Sequence, residues 1–172
     1  MRPATQKGLP IIASIALMSF IPAALAGSTV EMRLVNIKPE KASIGHVTLL
    51  DSRYGLLILP HLRGLTPGLH GFHIHAHPSC EQAAMAAGGH FDPHKTDQHL
   101  GPYNSKGHLG DLPVLYVKAD GTANTPLLAP RLTVKQIQNK ALMLHAGGDN
   151  YADNPPMGGG ASRLACGVIP TP

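Results

Sequence analysis

The chain has 172 residues and carries 14 Lys and Arg against 10 Asp and Glu, which gives a formal net charge of +4. Aromatic residues make up only 4% of it, Trp is absent and no run of Lys or Arg occurs, so the composition argues against a nucleic-acid-binding protein. The length fits one domain with a single hydrophobic core.

The first 26 residues predict a cleavable secretory signal peptide. Arg2 and Lys7 make its start basic, residues 11–21 are apolar, and residues 24–26 have the A-x-A pattern of a cleavage site. A membrane anchor is the alternative, but an apolar run of about 11 to 14 residues is shorter than the roughly 20 that span a bilayer. Cleavage would leave a domain over residues 27–172 with a net charge of +2, since both charges lost are basic, and no membrane association.

Short apolar segments predict about eight β-strands along the rest of the chain. In residues 29–37 apolar and polar side chains alternate, which is typical of a half-buried antiparallel strand. Asp120-Gly121 predicts a hairpin between the strands on either side of it, and residues 132–138 form either a helical turn or a loop. With no convincing amphipathic helix, the pattern indicates an all-β sandwich or barrel. The remaining strands are predicted at residues 44–50, 54–59, around 73–75, 112–118, 124–128, 141–145 and 163–169.

A histidine-rich segment, residues 70–111, holds eight of the eleven histidines of the chain. His73 and His75 are two residues apart, so in a strand their side chains lie on the same face and can bind one ion together. Histidine nitrogens with one position open to solvent suit copper among the metals that imidazole binds.

Further along this segment, His90, His99 and His108 occur at equal intervals of nine residues, and Asp111 follows three residues later. The residues between them are rich in Gly and Pro, which predicts loop structure. Three imidazoles and one carboxylate form the tetrahedral set that suits zinc, and such an ion can order a loop that has no core of its own.

The two cysteines, Cys80 and Cys166, predict one intramolecular disulfide, because an exported chain reaches an oxidising environment. Closing a loop of this size would restrict the unfolded chain, and in the entropic description this stabilises the folded protein by roughly 4 to 5 kcal/mol. Two free structural thiols are the alternative.

Six segments, in this order along the chain, resemble the signature segments of the bacterial exported Cu,Zn superoxide dismutases. They are GFHIH, GGHFDP, HLGPY, GHLGDLP, HAGGDNY and RLACGVI. The resemblance implies an all-β fold, a flattened eight-stranded Greek-key β-barrel of the immunoglobulin-like sandwich type, with two long loops over a bimetal site. It also implies a periplasmic location, and it is compatible with a homodimer, since relatives occur as monomers and as dimers.

The resemblance further implies two ligand sets that share His90. Copper would be bound by His73, His75, His90 and His145, and zinc by His90, His99, His108 and Asp111. The bridging position of His90 and the role of His145 rest on the resemblance, and a hydrogen-bonded structural histidine is the alternative for His145 by itself. The other histidines match no ligand position and are expected on the surface or in hydrogen bonds: His46, His61, His70, His77 and His94.

Three functional roles follow from the same resemblance. Asp149 would hydrogen-bond ligands of both metals, Arg163 would attract and position an anion beside copper, and His90 would take up a proton when copper is reduced. A solvated loop acid and a surface arginine are the alternatives for the first two. Between Cys80 and His90 the chain has no basic residue, whereas many bacterial relatives carry a longer insert with lysines, so we expect altered electrostatic steering here.

The expected activity is the dismutation of two superoxide anions, with two protons, to dioxygen and hydrogen peroxide. The expected cofactors are one copper and one zinc ion per subunit, and the expected role is protection of the cell envelope. A copper or zinc carrier is one alternative, but a carrier has no need of Arg163. A zinc hydrolase is another, but a zinc ion with four protein ligands has no open position for water.

Overall fold

The computed structural model describes residues 27–35 and 42–171, except for the side chain of Met157. The predicted signal peptide, residues 1–26, and the end of the first predicted strand lie outside the described residues. In the described residues no helix is both long and apolar enough to cross a bilayer.

Nine strands form the described fold, so the expected all-β architecture is confirmed. The largest sheet has seven antiparallel strands in the order β5-β8-β9-β1-β2-β3-β7, and β4 pairs with β6 in a separate two-stranded sheet. The strands are β1 Gly27–Leu34, β2 Ser43–Ser52, β3 Gly55–Leu62, β4 Gly68–His70, β5 Phe72–His75, β6 Leu115–Val117, β7 Leu127–Ala129, β8 Ala141–His145 and β9 Arg163–Val168. The helical elements are α1 Val134–Ile137 and two 3-10 turns, Met85–Ala87 and Pro156–Gly159.

One hydrophobic core lies between the two sheets. Val30, Val47 and Leu142 from the large sheet belong to the same buried cluster as Leu115 and Val117 from β6. Because side chains alternate along a strand, the residues on either side of each of these face away from the core. The β4-β6 pair therefore covers the inner face of the large sheet.

The edge strand β5 separates this core from the histidine-rich loops. Phe72 and Ile74 are fully buried in the core, while His73 and His75 alternate with them and are also buried. The side chains of His73 and His75 therefore lie on the opposite face of β5, under the loop that follows it. This arrangement confirms that the two histidines share one face of a strand.

The prediction at residues 132–138 resolves in favour of a helical turn. Thr133 caps α1, its backbone N–H donating to Gln136 Oε1 at 2.8 Å, and Val134 N–H donates to Asp51 Oδ1 at 2.7 Å. The described part of the first predicted strand, the 44–59 hairpin and the strands at 141–145 and 163–169 are present as β1, β2, β3, β8 and β9.

The predicted hairpin around Asp120-Gly121 is wrong in its strand pairing. The turn itself forms, with Lys118 N–H donating to Thr122 O at 2.8 Å. After the turn, however, Ala123 exchanges two backbone hydrogen bonds with Leu62, of 3.0 and 2.9 Å, so the chain leaves β6 and runs along β3. As a result β6 pairs with β4, and β7 pairs with β3.

Candidate metal centre

Adjacent strands at one end of the large sheet deliver the first side chains of the centre. His73 and His75 lie on β5, His145 ends β8, and Arg163 begins β9 opposite His145. His90 lies in the loop after β5, where its backbone bridges to that of His75. Sheet pairing therefore fixes the relative positions of residues that are up to 90 positions apart in the sequence.

The first ligand group is formed by four buried histidines whose potential ligand nitrogens all lie within 4.8 Å of one another. In three of them one ring nitrogen is buried and has no hydrogen-bond partner among the described residues: His73 Nδ1, His75 Nε2 and His145 Nε2. An unpaired buried nitrogen is costly unless something else satisfies it. The group consists of His73, His75, His90 and His145.

The other ring nitrogens of this group are held by hydrogen-bond partners. His73 Nε2 lies 2.6 Å from Asp149 Oδ2, and His75 Nδ1 lies 2.8 Å from the carbonyl oxygen of Gly88. Since both partners only accept, each of these nitrogens carries the ring proton and leaves the opposite nitrogen with a free lone pair. Burial lowers the pKa of His73 to about 3, of His75 to about 2 and of His145 to about 4, so all three rings are neutral at pH 7. Neutral imidazoles with free lone pairs are what a metal ion requires.

The second ligand group, His90, His99, His108 and Asp111, is also buried and also brings its ligand atoms within 4.8 Å of one another. Asp111 Oδ1 lies 3.0 Å from His90 Nδ1, 3.0 Å from His99 Nδ1 and 3.4 Å from His108 Nδ1. The nitrogens of His99 and His108 approach the carboxylate at angles that make no hydrogen bond. Four donor atoms thus converge on one point, as the tetrahedral ligand set of a zinc ion would.

The charges in the second group favour a cation. Burial would raise the pKa of Asp111, but the imidazole nitrogens of His108, His90 and His99 close to its carboxylate hold it well below its usual range. Burial would lower the pKa of His99, but its contacts with the Asp111 and Asp149 carboxylates raise it to about 9. Without a metal the proton on His99 supplies the positive charge, and this proton has to leave when a metal binds.

His90 belongs to both groups. Its Nδ1 lies beside Asp111 in the second group, so Nε2 is the nitrogen left for the first group. The ring centroid of His90 is 4.0 Å from that of His73 and 5.1 Å from that of His99. The structure therefore places His90 where a shared ligand would have to be.

Asp149 connects the two groups directly. One carboxylate oxygen lies 2.6 Å from His73 Nε2 and the other 2.8 Å from His99 Nε2. Burial would raise the pKa of Asp149, but the hydrogen bonds from these two histidines and from Tyr151 N–H hold it below its usual range. Gly158 passes so close that a Cβ there would be 2.0 Å from Asp149 Oδ1, and its φ of +71° also favours glycine.

Arg163 lies at the mouth of the first group. It lines a cavity of about 400 Å³ together with His75, His90 and His145. Its guanidinium donates to the carbonyl oxygens of Ala84 and Gly88, the second at 2.6 Å. Burial lowers the pKa of Arg163, yet the group stays protonated at neutral pH, so it presents a fixed positive charge in this cavity.

The disulfide between Cys80 and Cys166 is present, with a Cα–Cα distance of 5.7 Å, and confirms the predicted pairing. It links the loop that accepts the hydrogen bonds of Arg163 to β9, the strand that carries Arg163. The strand that carries Arg163 and the loop that accepts its hydrogen bonds are therefore joined covalently.

The structure confirms the expectation that His70 is a hydrogen-bonding residue, but sequence reasoning named neither its partners nor any role for Arg131. His70 is buried, and its ring nitrogens lie 2.8 Å from the carbonyl oxygens of His145 and Thr66, which fastens the backbone of His145. Arg131 donates to the carbonyl oxygens of Gly107 at 2.8 Å and of His108 at 3.3 Å, which holds the loop of the second group. Neither residue stands in a recognisable motif, and both act on backbone atoms far away in the sequence. The other four unassigned histidines, His46, His61, His77 and His94, are exposed and lie outside both groups.

Comparison with known proteins identifies the family. The family described as "Copper/zinc superoxide dismutase (SODC)" matches residues 43–169. This chain belongs to the copper/zinc superoxide dismutase family. It is 56% identical over 137 residues to Superoxide dismutase [Cu-Zn] 1 of Salmonella typhimurium (strain 4/74), a match that covers 74% of this chain and 77% of the relative.

Solved structures agree with this assignment. The Cu/Zn superoxide dismutase from Brucella abortus matches with a TM-score of 0.79 and 43% identity over 84% of this chain and 99% of that one. The monomeric copper, zinc superoxide dismutase from Salmonella enterica matches with a TM-score of 0.74 and 51% identity over the same shares. The protein is thus an oxidoreductase that dismutates superoxide, and its family uses copper and zinc. The unpaired nitrogens of the first group and the converging donors of the second fit two such ions.

Proposed function

We propose that this superoxide dismutase holds copper in the first ligand group and zinc in the second. The observation that carries the assignment is the set of unpaired buried nitrogens on His73, His75 and His145, which face one another beside a cavity open to solvent. The second group contains a carboxylate and a complete four-donor set, which suits zinc in a closed site. When bound, copper supplies the one-electron redox change that converts one superoxide to dioxygen and another, with two protons, to hydrogen peroxide, while zinc ties the loop ligands together.

Arg163 acts on the substrate anion. Its guanidinium lines the cavity beside His75, His90 and His145, and its backbone partners fix its direction. A fixed planar donor can attract superoxide, hydrogen-bond it and hold it near the first group. Because the cavity walls have a low dielectric constant, this charge acts more strongly there than in bulk water.

His90 is the group of this chain that can move a proton to the reduced substrate. Its Nδ1 is engaged by Asp111, while its ring also lines the cavity, so a proton on Nε2 would stand beside the anion that Arg163 holds. Burial lowers the pKa of His90, so a proton taken up at Nε2 is readily given up again. Asp149 meanwhile keeps the ring protons of His73 and His99 on Nε2 and so orients both rings.

We also propose that residues 1–26 are a signal peptide and that the mature protein works in the periplasm. The Cys80–Cys166 disulfide supports this, since such bonds persist in oxidising compartments. Cell fractionation and N-terminal sequencing of the mature protein test both statements. A homodimer stays a prediction, which analytical ultracentrifugation decides.

Metal analysis combined with a superoxide assay tests the metal assignment. The proposal expects one copper and one zinc per chain, with dismutation that requires copper and survives the removal of zinc at reduced stability. Tight binding of both ions without dismutation would instead support a metal carrier.

A further inference from the structure

Two exposed histidines outside both ligand groups face each other on the outer surface of the large sheet. His46 on β2 and His61 on β3 are directly opposite in the strand register. Val47 and Leu62, their neighbours in sequence, are buried in the core, so alternation directs both imidazoles to solvent. The ring centroids are 5.1 Å apart and the ring planes are inclined by 33°.

This spacing equals the spacing between histidines that share a ligand group in the same chain. The centroids of His75 and His90 are 5.0 Å apart, and those of His90 and His99 are 5.1 Å apart. The inclination of the surface pair is smaller than the 71° of those two pairs and is closer to that of His75 and His145, which are inclined by 28° at a centroid distance of 5.8 Å. The surface pair is therefore spaced as two imidazoles are when they converge on one ion.

The backbone holds this pair in place. Strands β2 and β3 pair without a register shift from Gly45 opposite Leu62 to Ser52 opposite Gly55. Next to His46, Gly45 has a φ of +120°, and a Cβ there would be 2.1 Å from the carbonyl oxygen of His61. Only glycine permits so close an approach, so Gly45 allows the backbones of β2 and β3 to lie close together beside the two histidines.

The charges around the pair come from β1. Glu31 is in register with His46, and the hydrogen bond from Arg33 lowers the pKa of Glu31, so its carboxylate is ionised at neutral pH. The ion pair between Glu31 and Arg33 measures 2.7 Å and is about half exposed on both sides, so the two charges largely offset each other. The two imidazoles are thus the donor groups that this surface offers to a metal ion, and both are exposed to water.

We propose that His46 and His61 form a surface site for a divalent transition-metal ion. Imidazole suits copper, nickel and zinc, and a site with free geometry prefers copper(II) among them. Because the site is open to solvent and offers two protein ligands, it binds reversibly and more weakly than the buried centre. At excess copper the protein would therefore hold a third metal ion per chain, on the face formed by β2 and β3.

The test starts from protein already loaded with one copper and one zinc per chain, so that the buried groups are full. Glycine-buffered copper(II) is then titrated into it and followed by calorimetry and by electron paramagnetic resonance. The variants are His46→Asn and His61→Asn, and the matched control is His94→Asn, which removes an exposed histidine from the loop after β5. Thermal unfolding checks that all variants keep the fold.

The expected result is one additional copper(II) per chain, with a dissociation constant on the order of micromolar, in the wild type and in His94→Asn. Loss of either paired histidine should weaken this binding about tenfold or more, because a single imidazole forms no chelate. The proposal is overturned if the loaded wild type takes up no further copper, or if the His46 and His61 variants bind it as the wild type does. Equal weakening in His94→Asn would also overturn it, since binding would then be spread over all exposed histidines.

Discussion

The two ligand groups share His90 but are built in different ways. Three members of the first group lie on paired strands, where His73 faces Met143 and His75 faces Ala141 across β5 and β8. In the second group, His99 and His108 lie in a loop without strands, and side chains such as Asp111 and Arg131 hold them. The first group is therefore organised by the sheet before any metal binds, whereas the second depends on carboxylates and, in our account, on zinc.

The largest effect on activity should come from a substitution in the first group, whose histidines lie mostly on strands. His75→Ala removes an assigned copper ligand but leaves Phe72 and Ile74, the core side of β5, unchanged. We expect loss of dismutation by about a hundredfold or more, with a cooperative thermal transition retained. Stopped-flow superoxide decay and calorimetry measure the two quantities. A variant that keeps most of its activity would show that His75 is not a copper ligand.

The carboxylate that joins the groups should affect both metals. Asp149→Asn can no longer accept from His73 and His99 with both of its side-chain termini, so both rings lose their fixed orientation. Affinity for copper and for zinc should fall about 10- to 100-fold each, measured as metal retained after dialysis against a graded chelator. Asp97→Asn, at an exposed loop position, is the control and should retain both ions. Loss of zinc alone would mean that the strands orient His73 without help from Asp149.

Arg163 connects a strand to a loop, because it is the first residue of β9 and its guanidinium donates to carbonyl oxygens in the loop after β5. Arg163→Glu should lower the superoxide rate constant by about 10- to 1000-fold, since a repelling charge replaces an attracting one. Arg163→Lys should lose less, because a point charge still attracts the anion but lacks the planar donor pair. The comparison is made at several ionic strengths, as salt screens charges over about 10 Å at 0.1 M. Equal rates for the Glu and Lys variants would exclude an electrostatic role.

A smaller effect on activity, but a large one on stability, is expected from the disulfide. Cys80→Ser opens a link between residues 86 positions apart, which costs roughly 4 to 5 kcal/mol in the entropic description. The melting temperature of the metal-loaded protein should fall, and the loop that positions Arg163 should exchange its amide hydrogens faster. Unchanged exchange in residues 81–89 would show that the hydrogen bonds of Arg163 hold this loop without the disulfide.

Prediction from sequence worked where the determinants are local in the chain. The spacing of His73 and His75 encodes a shared strand face, and the regular spacing of His90, His99 and His108 accompanies a loop that brings their donor atoms together. The shared position of His90 was available only through family resemblance, because it depends on contacts with both β5 and Asp111.

The misplaced hairpin and the unpredicted contacts of His70 and Arg131 have one physical reason in common. Asp120-Gly121 specifies a turn, but the partners of β6 and β7 are set by burial against β4 and β3, more than 40 residues away. His70 and Arg131 likewise act on the carbonyl oxygens of His145 and His108, which any residue type could supply. Sequence patterns indicate the chemistry of side chains, but they do not indicate which distant backbone atom a side chain will contact.

In our proposal the first group holds copper and the second group holds zinc, with His90 between them. Anomalous diffraction from crystals of the metal-loaded protein, measured on both sides of the copper and zinc absorption edges, tests it most directly. We expect a copper signal among His73, His75, His90 and His145, and a zinc signal among His90, His99, His108 and Asp111. Copper in the second group, or a zinc signal in both groups of an active protein, would contradict it.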